Sequence, residues 1–102
     1  MLDAPRLKWM QQWSAGADWI LRPEMRQSEV VVTTASGIHT IQITEHIFSF
    51  MFAFARSLPA ARLIQLEGTW NRANNPSVFE LFEKPLLVVG VGAIGSRTAE
   101  VG

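Results

Sequence analysis

The sequence contains no cysteine. That excludes a disulfide framework, a thiol nucleophile and a zinc site built on thiolates, and it fits a reducing compartment, so a cytoplasmic location is expected. Neither sign of charge is in excess, with 9 Lys and Arg against 9 Asp and Glu. The balance leaves no basis for a polybasic nucleic-acid surface or an acidic tail. No apolar run is long enough to cross a membrane. The nearest, Ile47 to Ala55, contains Ser49, follows Glu45 and His46 and is closed by Arg56, whereas a spanning helix needs about 20 apolar residues. Met1 to Lys8 has no apolar core, so it does not read as a signal peptide. Internal repeats and low-complexity segments are absent too, and no metal site is expected.

What remains is an ordinary globular composition, 48% hydrophobic over 102 residues. A single small domain of that size buries roughly 60–70% of its unfolded surface. Leu7 to Trp13 alternates loosely into Ser14-Ala15-Gly16 and reads as a strand ending in a glycine turn. Asp18 to Arg26 reads as a short, irregular helix broken at Pro23. Val30 to Thr34 is a β-branched run, hence a strand, ended by Ala35-Ser36-Gly37.

Thr40 is expected to cap a long helix from Ile41 to about Ser57. Its first half is amphipathic, with Gln42, Glu45, His46 and Ser49 among apolar residues. Its second half, Phe50 to Ala55, is apolar on every side and so must be enclosed on every side. A chain this small can hardly wrap it alone, which predicts a subunit interface. Pro59 predicts a break near Leu58, then a helix from about Ala60 to Leu66 closed by Gly68. Thr69 to Pro76 reads as irregular around Trp70, and Ser77 to Lys84 leads to a final strand that begins after Pro85.

That strand, Leu86-Leu87-Val88-Val89, runs into Gly90-Val91-Gly92-Ala93-Ile94-Gly95, a G-x-G-x-x-G string opening on Ser96-Arg97-Thr98-Ala99-Glu100. Strand, glycine turn and helix in that order form the start of a dinucleotide-binding unit. Gly90 permits the tight turn, Gly92 lets a pyrophosphate approach bare backbone, and Gly95 lets the helix pack on the strand. The helix N-terminus offers free N–H groups and partial positive charge. The bland alternative is a plain glycine-rich turn. An acidic residue gripping the ribose would lie about 20 residues further on, past Gly102, so NAD and NADP are not distinguished.

Taken in order, Ala4-Pro5-Arg6-Leu7-Lys8-Trp9, Ser14-Ala15-Gly16-Ala17-Asp18, Ala35-Ser36-Gly37-Ile38-His39, Thr44-Glu45-His46, Ala55-Arg56, Gln65 with Gly68 and Trp70, and Val89 to Gly95 resemble the D-isomer-specific 2-hydroxyacid dehydrogenases. The resemblance implies an α/β fold. Residues 1–40 would be part of a flavodoxin-like substrate domain. Residues 41–102 would be the long interdomain and dimer helix joined to the first βα unit of a Rossmann NAD(P)-binding domain. It also implies an oxidoreductase acting on small D-2-hydroxy acids, with reduction of a 2-keto acid such as glyoxylate or hydroxypyruvate. The active site would lie in the cleft between the domains.

Residue by residue, the resemblance assigns Gly90, Gly92, Ala93, Ile94 and Gly95 to the pyrophosphate. It places Thr44 near the nicotinamide, with a helix-surface threonine as the alternative. It gives Ala15, Gly16 and Ala17 to the substrate carboxylate, with a plain strand-to-helix turn as the alternative. The family's acid/base histidine, the glutamate paired with it and the arginine that binds the keto acid have no counterpart in these residues. His39 reads as a junction residue, His46 as a helix-packing residue, and Glu45 as ordering the junction by hydrogen bonds. Trp9, Trp13, Trp19 and Trp70 read as core or interface. The motif lies seven residues from the last one, so the chain is expected to be truncated and inactive alone. The competing expectation is a non-enzymatic product that associates through its apolar helix. A flavin in place of NAD(P) fits the Ser14–Asp18 and Thr44–His46 pieces poorly.

Overall fold

A computed structural model describes residues 4–70 and 78–102. The chain divides after His39 into two compact units. Met1 to Asp3 and most of the irregular segment expected around Trp70 lie outside the described residues.

The first unit carries strand β1 (Trp9–Gln11), helix α1 (Pro23–Arg26) and strand β2 (Val31–Thr33). The strands are parallel, with Trp9 opposite Val31, Met10 opposite Val32 and Gln11 opposite Thr33. Bonds beyond the ladder extend the pairing: Val31 N–H donates to Lys8 O (3.0 Å), Gln12 N–H to Thr33 O (2.8 Å) and Ala35 N–H to Ser14 O (3.2 Å). Side chains tie the strands as well. The Trp9 indole donates to Thr33 Oγ1 (2.8 Å), whose hydroxyl donates to Gln11 Oε1 (2.5 Å). Ile20 and Met25 form the buried apolar centre of this unit.

Pro23 does not break a helix here; it starts one. Asp18 to Ile20 is a turn, closed by Ile20 N–H on Ala17 O (2.9 Å). Arg22 is extended at φ −65°, ψ 161° with proline following it in the first turn. A proline excludes its predecessor from the helical region, yet suits the first helical position because no donor is needed there.

The second unit carries helices α2 (Thr40–Ala55), α3 (Leu58–Leu66) and α4 (Ala93–Val101). Helix α2 ends at Ala55, and α3 departs at an angle of 62°. The joint is Ser57, which sits in the left-handed region at φ 53°. Helix α3 starts before Pro59 rather than after it, because the first helical turn tolerates a missing donor. Its end is the expected glycine stop. Gly68 lies at φ 66°, Gly68 N–H donates to Gln65 O (3.1 Å) and Thr69 N–H to Ile64 O (3.3 Å), the paired bonds of a Schellman motif.

Leu86 to Val89 forms no ladder among the described residues. The expected final strand is therefore corrected to an unpaired segment. A strand satisfies its backbone only through a neighbour, whereas α4 closes its own bonds and forms regardless. The apolar half of α2 is open in this single chain: Phe50, Phe52 and Phe54 are 52%, 55% and 70% exposed, while Thr44 and Ala55 are buried. Among the described residues no single helix is long and apolar enough to cross a membrane.

Candidate functional site

The glycine string makes the bend that its spacing requires. Gly90 lies at φ 96°, a conformation costly to any residue with a Cβ. Gly92 is the N-cap of α4 in ordinary extended geometry, and no side chain caps the helix. A Cβ built on Gly92 would meet nothing within 4 Å, so this backbone face is open; one on Gly95 would overlap the Gly90 carbonyl oxygen and crowd Val88 Cγ1. Gly95 is thus the contact that lets α4 sit on the turn. The Ser96 hydroxyl donates to Val91 O (3.0 Å), and Ser96 N–H closes the first helical bond on Gly92 O (2.9 Å).

Among the described residues the N–H groups of Ala93, Ile94 and Gly95 find no acceptor. They point out of a helix end carrying about half a unit of positive charge. An open backbone face, free donors and a positive-φ glycine are what a pyrophosphate needs, so the residues present fit a dinucleotide.

Thr44, on α2, meets α4 away from that turn. It is 3% exposed, and its hydroxyl lies 3.4 Å from that of Thr98, itself 5% exposed. Thr98 donates to Ile94 O (2.9 Å), which leaves Thr44 as the donor between the two hydroxyls. Along the helix axis Thr98 is about 7.5 Å from Ala93 and about 4.5 Å from Gly95. Beside this pair, Ile41, Glu45, Phe48, Phe52, Arg97 and Val101 line a groove of about 420 Å³. Thr44 is therefore a buried packing group rather than a helix-surface threonine.

In the first unit, Ala15 and Gly16 are exposed and Ala17 half-buried. The N–H groups of Ala15, Gly16 and Ala17 donate to nothing among the described residues. Three carbonyls of the same loop are occupied instead. Ser14 O accepts from Ala35 N–H, Gly16 O from Gln12 Nε2 (3.5 Å), and Ala17 O from the Ile20 and Leu21 N–H groups. The loop offers donors outward, which suits a carboxylate.

His39 and His46 are both exposed. His46 stacks edge-on against Phe50 with ring centroids 4.7 Å apart, a packing role. The Glu45 side chain makes no hydrogen bond or ion pair among the described residues. No three His, Cys, Asp or Glu side chains gather among those residues. Sequence reasoning passed over Gln12, Ser96 and Thr98. Gln12 carried a signal, since it shares strand parity with the half-buried Met10 and so falls on the inner face.

Residues 48–102 match the family model described as the D-isomer specific 2-hydroxyacid dehydrogenase, NAD binding domain. The chain is 34% identical to a D-3-phosphoglycerate dehydrogenase of Synechocystis sp., over 94% of this chain and 17% of that protein. It is 33% identical to a glyoxylate reductase of Thermofilum pendens, over 95% of this chain and 30% of that protein. A D-3-phosphoglycerate dehydrogenase of Archaeoglobus fulgidus is 34% identical, over 95% and 18% respectively. The chain thus spans between about a sixth and a third of the length of these relatives. No solved structure matches significantly.

Proposed function

The chain belongs to the D-isomer-specific 2-hydroxyacid dehydrogenase family, and from that premise we propose that it carries two backbone cradles of an oxidoreductase acting on the CH–OH group of small D-2-hydroxy acids. The cofactor class of its matched domain is NAD(P). The observation that carries the reading is the Gly90–Gly95 bend, with its open face at Gly92 and the free N–H groups of Ala93, Ile94 and Gly95. These groups would hold the pyrophosphate by charge-assisted hydrogen bonds. When bound, the nicotinamide supplies or accepts the hydride.

The N–H groups of Ala15, Gly16 and Ala17 would receive the carboxylate of the 2-keto acid. Residues 1–40 then belong to a flavodoxin-like substrate domain, and residues 41–102 to a Rossmann domain with its interdomain helix. A small substrate of the glyoxylate or hydroxypyruvate kind is favoured by the relative named glyoxylate reductase. The relatives named for D-3-phosphoglycerate favour a larger, phosphorylated acid. Thr44, buried on α2 against Thr98 of α4, would stand on the nicotinamide side of the cofactor. A cytoplasmic location belongs to this proposal and is supported by the cysteine-free sequence.

Taken by themselves, the 102 residues hold no match to the family's arginine, glutamate and acid/base histidine. We therefore expect no glyoxylate or hydroxypyruvate reduction by NADH from these residues alone. Turnover that scales with chain concentration, and is abolished by Gly92→Asp, would contradict this.

A second reading rests on a different observation, the open aromatic face of Phe50, Phe52 and Phe54 on α2. In it the chain associates with itself through residues 41–57, or acts as a non-enzymatic partner by the same face. Burying such a face is worth roughly 1.5–3 kcal/mol per large side chain. Sedimentation should show dimers or larger species, and a clean monomer would sink the interface.

A further inference from the structure

We propose that Gln12 is a positioning residue for the Ala15–Ala17 loop, and that its buried side-chain amide turns the Ala17 N–H outward. The proposal rests on the reading of that loop as a carboxylate cradle, but its own content is conformational.

Gln12 lies just past the end of β1 and is 7% exposed, whereas Ser14 and Gly16 are exposed. Its backbone is fixed on both sides. The N–H donates to Thr33 O (2.8 Å), and the carbonyl accepts from Gln11 Nε2 (2.7 Å). The backbone of Gln12 is therefore a fixed point from which its side chain reaches the loop. Its Nε2 donates to Ser14 Oγ (2.8 Å) and, by a longer contact, to Gly16 O (3.5 Å), the acceptor-only partner that distinguishes the nitrogen from the oxygen of the amide.

The consequence follows from peptide geometry. No peptide bond described here is cis, and in a trans peptide the C=O of one residue and the N–H of the next point in opposite directions. Ser14 O is drawn inward by Ala35 N–H, so the Ala15 N–H points away from the sheet. Gly16 O is drawn inward by Gln12 Nε2, so the Ala17 N–H points away as well. The Ala15 and Ala17 donors thus each have their own inward anchor. The Ala15 anchor is backbone, from the continuation of β2. The Ala17 anchor is one side chain, and sequence can change it.

The experiment is an amide NMR study of the isotope-labelled full chain and its Gln12→Met variant, without ligand and with oxamate, a non-reducible 2-keto acid mimic. Methionine keeps the length of the side chain and removes the donor. The Trp9 indole N–H, bonded to Thr33 Oγ1, reports whether the sheet is intact. Without ligand, Gln12→Met should lower the order of the Ala17 amide and spare that of Ala15. With oxamate, the Ala17 response should weaken about fivefold, the scale of one neutral hydrogen bond, while the Ala15 response stays. Ser14→Ala, which removes only the short partner of the amide, should act on Ala17 in the same direction and less strongly; it serves if Gln12→Met loses the Trp9 signal. Equal effects on Ala15 and Ala17 with the sheet intact, or none on Ala17, would overturn the proposal. Silence of the wild-type loop towards oxamate would overturn the carboxylate reading alone, because the ligand-free order of Ala17 still decides the role of Gln12.

Discussion

The loop at Ala15–Ala17 and the turn at Gly90–Gly95 both present backbone N–H groups without acceptors, yet they hold them by different means. The first is held from outside. Ala35 N–H and the Gln12 amide grip its carbonyls, and Gly16 neither sits at positive φ nor presses on any neighbour. The second is held by its own lack of side chains. Gly90 needs φ 96°, and Gly95 needs the space against the Gly90 carbonyl. A cradle made by neighbours depends on its anchors and tolerates change within itself. A cradle made by glycine does the reverse, and that is why only the second is visible as a spaced motif.

Substitutions at the glycines break or sharpen this contrast. Gly95→Val forces a side chain into the Gly90 carbonyl and should cost about 3 kcal/mol, the upper range of overpacking, read as a fall in the urea midpoint of α-helical circular dichroism. Gly90→Ala meets no atom within 4 Å, so its cost is conformational only, about 1–2 kcal/mol. In the first loop the same change should have the opposite sign. Gly16→Ala is free of both strain and contact and should stabilise by about 0.5 kcal/mol through the unfolded chain; a loss as large as that of Gly90→Ala would erase the distinction between the two cradles. Gly92→Asp should leave the unfolding free energy within about 0.5 kcal/mol of wild type, because the space there is open, while placing a negative charge where the phosphate would approach.

Much of this was legible in the residues. Val30 to Thr34 announced β2 by its β-branched run, the long apolar stretch announced α2, and Gly68 announced the end of α3. The glycine spacing announced the α4 turn because that geometry excludes other residues. Pairing was not legible. Leu86 to Val89 reads as a strand as convincingly as Val31–Thr33, but only the latter has a neighbour to bond. Pro23 misled, since it starts a helix rather than breaking one, whereas the break expected near Leu58 is present between Ala55 and Leu58. That bend is made by Ser57 at a left-handed φ of 53°, which no local signal requires. For Gln12, strand parity with Met10 signals the inner face but not the role. Its role follows from what its amide reaches across the loop.

The central claim is that the α4 N-terminus is a pyrophosphate site, and titration of the labelled chain with NADH tests it most directly. The prediction is saturable shifts confined to the Ala93, Ile94 and Gly95 amides, at about millimolar concentration for a single βα turn, and lost in Gly92→Asp. Shifts absent from those three amides, or unchanged in Gly92→Asp, would contradict the claim.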